Sequence, residues 1–233
     1  VVTEIAVLGP LETVTRSSVT DQVFEALYAQ VQSLALPPGT KLSESEVAKQ
    51  LGVSRQPVRD AFYRLSKLGF LLIQPQKATL VSKIHIADVR KARFIRSAIE
   101  VEVMRQAALN FTEKDFSALQ PILDAQKAAV TKGDKATFHR LDDVFHQVLC
   151  SRAGVGFVWD VIRENKAHTD RVRFLSLGSG SQRAYDDHIA IVAALRSGSV
   201  DGAVQAMRAH LGTIEAIIQQ IRSTNHSWFS DEE

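Results

Sequence analysis

Apolar residues begin to recur at three- and four-residue intervals at Val19 and continue through Val23, Leu27, Val31 and Leu34. That period lines one stripe of a helix and predicts a first helix there. Leu36-Pro37-Pro38-Gly39 stops it with a turn. Ser43 is placed to cap a short second helix, with Glu46 as its capping-box partner and Val47, Ala48 and Leu51 on the apolar side. Gly52 suits a left-handed C-cap, and Gly52-Val53-Ser54 makes a tight turn. Ser54 can then cap a third helix over Arg55–Lys67, with Pro57 in the first turn, where a missing N–H costs nothing. Val58, Ala61, Phe62, Leu65 and Leu68 form its buried face. Two β-like runs, Phe70–Ile73 and Thr79–Ser82, flank a hairpin tip at Gln74-Pro75-Gln76-Lys77-Ala78. Helix, helix, tight turn, helix and hairpin is the order of a winged helix-turn-helix.

Beyond Lys83 the strand signals end. The pattern predicts about six helices, near 86–109, 113–132, 134–152, 155–175, 182–197 and 200–223. Thr112, Asp134 and Asp201 read as helix starts, and Gly133, Gly154 and Ser197-Gly198-Ser199 as breaks. Ser176–Ser181 reads as a loop. The fold class predicted is mainly α: a winged helix-turn-helix over 19–83 followed by an all-α helical bundle over 84–224. Residues 1–18 read as a flexible arm, and the polar, acidic 225–233 as a tail that frays.

Composition adds limits more than direction. With 233 residues, 45% hydrophobic and 23% charged, the chain has material for two ordinary cores. Its net charge of +2 does not announce a nucleic-acid binder, but the excess is local. Residues 1–83 hold nine Lys/Arg against seven Asp/Glu, whereas the remainder holds nineteen of each. A single cysteine, Cys150, excludes an intramolecular disulfide framework and fits a reducing compartment. No apolar run is long enough to span a bilayer and no signal peptide is visible, so the cytoplasm is the expected location, with no membrane partner.

The third helix carries Arg55, Arg59, Arg64 and Lys67 against one acid, Asp60. Arg55 and Arg59 share a face away from Phe62 and Leu65. Arginine can grip guanine through two hydrogen bonds and Gln56 can pair with adenine, so this helix start suits a major groove. Lys77 at the hairpin tip could reach the minor groove or a phosphate. Taken alone, the arginines fit a solvated basic face equally well. The run Pro38-Gly39-Thr40-Lys41-Leu42-Ser43-Glu44, then Val47-Ala48, then Leu51-Gly52-Val53-Ser54-Arg55-Gln56-Pro57-Val58-Arg59-Asp60-Ala61 resembles the DNA-binding domain of the GntR family of bacterial regulators. The resemblance implies that Ser54, Arg55, Gln56, Pro57 and Arg59 sit at a double-stranded DNA operator, with Glu44 near the DNA backbone. The family's wing usually has glycine where this chain has Ala78, which predicts strain if the wing needs a positive φ. Helix-turn-helix regulators of this type act as homodimers on half-sites one helical turn apart, so a pseudo-palindromic operator is expected.

The helical half offers a second chemistry. Asp142 and His146, four apart, project from one helix face. His188 lies nine residues before Ser197 and His210 nine after Asp201, each about 13 Å from the intervening turn along neighbouring helices. Three imidazoles and a carboxylate suit a divalent transition metal such as Zn²⁺, Mn²⁺ or Ni²⁺. By spacing alone, isolated core histidines remain an equal reading. Residues 86–222 look like the metal-binding helical ligand-sensing (FCD) domain of the FadR-type branch of the same family, through Asp142-Asp143-Val144-Phe145-His146, Asp187-His188 and Ala203 to His210-Leu211. That resemblance implies a metal held by Asp142, His146, His188 and His210 at the base of an effector pocket. Family members that bind long acyl-CoA lack such a site, so a small effector is expected. Arg96 reads as a clamp for a small organic acid or as the salt-bridge partner of Glu100. Arg173 and Arg171 are weaker effector contacts. A metal-ion sensor and a metal-dependent hydrolase are the rival readings.

Overall fold

The computed structural model describes residues 17–74, 78–175, 180–222 and 226–230. Most of the expected arm, Lys77 and most of the Ser176–Ser181 loop therefore lie outside the described residues. The N-terminal head is built from α1 (Val19–Gln32), β1 (Lys41–Leu42), α2 (Glu44–Leu51), α3 (Arg55–Lys67), β2 (Leu71–Leu72) and β3 (Thr79–Val81). β3 is central in an antiparallel sheet of order β1-β3-β2, pairing Lys41 with Leu80 and Leu71 with Val81. Three helices close over this wing around Phe24, Leu27, Val58, Phe62, Leu65 and Phe70. The strand β1 was not foreseen; two residues are too few to show a period.

The turn between α2 and α3 takes the form its glycine demands. Gly52 has φ 66°, and its amide bonds back to Ala48 and Lys49 carbonyls. The expected capping box at Ser43 is not formed. The Ser43 hydroxyl turns instead to the Ser45 hydroxyl at 2.8 Å, and Ser54, although extended at the cap position, makes no side-chain cap bond. Reciprocal capping appears at other starts, where Ser18 pairs with Asp21 and Thr112 with Asp115. The backbone angle of Ala78 depends on Lys77, so the strain expected at the wing tip lies outside the described residues.

The body consists of α4 (Ile86–Asn110), α5 (Glu113–Lys132), α6 (Lys135–Arg152), α7 (Trp159–Leu175), α8 (Gly180–Arg196) and α9 (Val200–Arg222). A 3-10 turn at Gly156–Val158 replaces the expected first turn of α7, and α8 starts at Gly180 inside the expected loop. α7 is unlike the others. From Lys166 to Val172 only His168 escapes full burial, because the head covers one side of the helix and the body the other. Ala167 belongs to the head's own core. The Tyr28 hydroxyl donates to the Arg163 carbonyl at 2.9 Å, His168 meets the Leu68 carbonyl at 2.9 Å and stacks on Phe70, and Arg171 donates to the Ser82 carbonyl at 2.6 Å.

The tail does not fray where it is described. β5 (Phe229–Ser230) runs parallel to β4 (Ile84–His85), the segment joining head to body. Phe229, 2% exposed, fills an apolar cluster with Ile84, Val89, Val172, Ile214 and Ile218. The acidic composition of 225–233 hid one aromatic residue whose burial outweighs its neighbours' preference for water. Phe229→Ala should therefore destabilise the body by about 3–5 kcal/mol, as expected for a buried aromatic truncation. Thermal denaturation checks this, and a loss no larger than that of a surface substitution would show that the tail carries no packing.

Candidate functional site

Four helices bring the buried polar groups together because each is in register with an apolar stripe. On α4 the buried positions Val89, Ala92, Arg96, Glu100, Val103, Met104 and Ala107 recur at helical spacing, so Arg96 and Glu100 enter the core with the aliphatic residues. The same register carries Asp142 and His146 inward on α6, His188 on α8 and His210 on α9. Donor atoms of Asp142, His146, His188 and His210 all lie within 4.8 Å of one another.

The ring nitrogens are sorted by their outer partners. His146 Nδ1 lies 2.5 Å from Glu100 Oε2, His188 Nδ1 is 2.9 Å from Gln126 Oε1, and His210 Nδ1 is 3.2 Å from Asp187 Oδ2. Gln126 is itself fixed, its amide N–H donating to the Leu141 carbonyl at 3.0 Å, which turns its oxygen toward His188. The Nδ1 atoms of His188 and His210 are thus met by hydrogen-bond acceptors, whereas that of His146 lies close to Glu100 without forming a hydrogen bond to it. The Nε2 atoms of His146 and His188 are buried with no hydrogen-bond partner, and His188 Nε2 stands 3.4 Å from Asp142 Oδ1. Burial is the main force holding His188 well below the usual imidazole range, and His210 is lowered for the same reason. Both rings are thus neutral at pH 7, each with a lone pair available.

Orphaned buried nitrogens are costly unless something occupies them. Donor atoms about 2.1 Å from a common ion stand at most about 4.2 Å apart, so the four groups already lie near ligand spacing. The donor set fits a transition metal, and the outer acceptors are those that orient metal-bound histidines.

Arg173 donates two bonds to Asp142, each 2.9 Å. Burial pushes the Asp142 carboxyl up, but Arg173 and His146 outweigh it and hold it well below the ordinary range. Arg96 donates from Nε to Glu100 Oε1 at 2.6 Å, while its buried Nη2 has no hydrogen-bond partner. The salt-bridge reading of Arg96 is therefore what the structure contains, and one arm of the guanidinium remains over. A cavity of about 270 Å³ opens beside the cluster, lined by Arg96, Arg173, His139 and His210 among others. His139, half-buried and stacked on Phe174, is pushed down to about 4, chiefly by desolvation. Arg171 takes no part, being engaged with Ser82.

In the head, Glu44 accepts from both Arg55 (3.3 Å) and Arg59 (3.2 Å), drawing them into one exposed cluster. Gln56 donates to Asp60 at 2.8 Å, and Ser54 and Pro57 occupy the start of α3. The sequence reading missed Gln126 altogether and assigned Glu100 only to Arg96. An inward-facing Glu four residues after an inward-facing Arg was the signal available for the second; an amide on a helix with no other chemistry gave none for the first.

Fold and site together define a winged-helix transcription regulator carrying a helical sensor domain. Residues 19–81 match the bacterial regulatory proteins, gntR family, and 92–213 match the FCD domain. The chain belongs to the GntR family, with an FCD domain as its sensor. It is 39% identical over 216 residues to the HTH-type transcriptional repressor RspR of Escherichia coli (strain K12), covering 92% of this chain and 95% of that protein. It is 30% identical over 203 residues to a probable D-xylose utilization operon transcriptional repressor of Paenarthrobacter nicotinovorans, covering 84% and 87% of the two chains. The solved structure of E. coli McbR/YncC superposes with a TM-score of 0.75 at 24% identity, covering 88% of this chain and 99% of that one. Relatives named as transcription regulators remove the hydrolase reading.

Asp187→Ala takes the acceptor from His210 at a partly exposed position. It should weaken Zn²⁺ binding about tenfold or more, measured by competition with a chromogenic chelator. Unchanged affinity would show that His210 needs no outer partner to act as a ligand.

Proposed function

We propose that this chain is a metal-containing regulator that binds DNA as a homodimer on a pseudo-palindromic operator and changes its operator affinity when a small carboxylate enters the sensor pocket. Asp142, His146, His188 and His210 would hold a divalent ion, zinc, manganese or nickel, which supplies a Lewis-acidic anchor for carboxylate oxygen. Arg96, through its spare Nη2, and Arg173 would orient the acid. In the head, Ser54, Arg55, Gln56, Pro57 and Arg59 would face the major groove, with Glu44 releasing its arginines to bases or phosphates. Lys77 is proposed for the wing contact on sequence grounds alone. The work is done where the DNA is, in the cytoplasm.

One observation carries the coupling of pocket to DNA. Arg173, which holds Asp142, also lies 3.8 Å from Asp170; Asp170 contacts Lys166 and accepts from Gln32 at 2.5 Å, and Gln32 is the last residue of α1 in the head. Lys166 closes the circuit by pairing with Asp143 at 2.6 Å, next to Asp142. An acid that draws on Arg173 must redistribute this buried chain of charges, and its far end is the DNA-binding domain. Such a path gives the two sites a physical link rather than mere proximity.

The test begins with duplexes selected from a random pool by the metal-loaded protein. Carboxylates are then titrated while operator binding is followed by fluorescence anisotropy. A stabilising acid should shift operator affinity about fivefold to 150-fold, and Asp142→Ala should abolish the shift. Asp170→Asn should keep acid binding and DNA binding but lose most of the coupling between them. If acids bind and operator affinity never moves, the regulatory reading is wrong. A shift produced by Zn²⁺ with no acid present would instead make the ion the signal, a role the complete burial of Asp142 and His188 would also suit.

A further inference from the structure

The charges lining the sensor cavity are stacked in two tiers. α8 and α9 form an antiparallel hairpin across Ser197–Ser199, and Asp187 meets His210 across it. α4 also runs against α9, since Arg90 bonds Glu215 at 2.5 Å while Arg96 lines the cavity beside His210. α4 and α8 therefore run the same way past the cavity, and a step toward the N-terminus of either is a step up α9 toward Ile214 and Ile217. Arg96 and Asp187 mark the lower tier, next to the histidine cluster. Arg93, three residues before Arg96, and Arg183, four before Asp187, both line the same cavity. At 1.5 Å per residue they stand about 5 Å above the lower tier.

The tiers differ in how their charges are met. Arg96 has Glu100 and Arg173 has Asp142. Among the described residues Arg93, half-buried, and Arg183, exposed, make no ion pair with any carboxylate and are met by water instead, and Glu215, which feels Arg93, is already bonded to Arg90. Phe138, Leu211 and Ile214 add apolar wall to the same cavity. A cavity of about 270 Å³ is small beside those that enclose drug-sized ligands.

We infer that the cavity takes a short di-acid: one carboxylate at the lower tier with Arg96 and the Asp/His cluster, the other between Arg93 and Arg183. The inference rests on the carboxylate reading above and narrows it. Arg93 and Arg183 are specificity-determining residues that distinguish two acidic ends from one, and the apolar wall accommodates the carbons between.

The experiment compares straight-chain di-acids from malonate to adipate with the monomethyl ester of each, by calorimetry on the full-length zinc-loaded protein. One or more di-acids should bind about tenfold tighter than the matched ester, the worth of a charge-assisted hydrogen bond. In Arg93→Gln and Arg183→Gln that advantage should shrink, the di-acid losing more affinity than its ester. Esters that bind as tightly as di-acids at every length overturn the two-tier assignment and leave the carboxylate reading standing. An advantage that survives in both variants also overturns it. If neither acids nor esters bind to protein verified to hold zinc, the carboxylate reading fails and this one with it.

Discussion

A charge taken out of water must keep a partner, and the middle of this molecule is organised by that demand. Arg96, Glu100, Asp142, Lys166 and Asp170 are all buried, on three different helices. None could stay ionised alone. Glu100 is held between Arg96 and His146, Asp142 by Arg173, and Lys166 between Asp143 and Asp170. These pairs need defined angles and distances, which greasy contacts do not. They fix how α4, α6 and α7 pack, and so where His146 points. Apolar burial supplies the bulk of the stability, but the charges select one arrangement of the bundle.

α7 carries that selection outward. One turn of it, from Lys166 to Asp170, touches the cluster through Asp143 and the head through Gln32. The next residues split the same way, Arg171 holding the Ser82 carbonyl and Arg173 holding Asp142. A helix wetted on one face could move without consequence for one of its neighbours. This one has no spare face over that turn, so a displacement felt by the sensor is felt by the head.

Much of this was legible before any coordinates. The Gly52 turn and the Leu51–Ala61 run carried the winged helix because local backbone chemistry dictates that stretch. Asp142 and His146 were legible because helical periodicity puts positions four apart on one face. His188 and His210 could be matched in height across a short hairpin, though no spacing proves that three helices meet. What stayed hidden depends on tertiary contact. Gln126 looks like any surface amide until its helix is placed against α8. The Ser43 hydroxyl had two local partners of similar worth, and the neighbouring serine won over the backbone. Phe229 follows Trp228 in an otherwise polar and acidic tail, and only the groove left by Ile84, Val89 and Ile218 gives it a reason to fold back.

That returning strand has a consequence for how the head meets DNA. β5 pairs with the very segment that leaves the head, and Arg171 holds the carbonyl just before it, so almost no free tether separates the two domains. A head hung on a loose linker would surrender much orientational freedom on binding, and affinity would suffer for it. This head has little to surrender. The corresponding loss is tolerance: a rigidly presented reading helix cannot swivel to follow a duplex whose groove lies at another angle, and discrimination between sites then comes partly from their shape and not only from their bases.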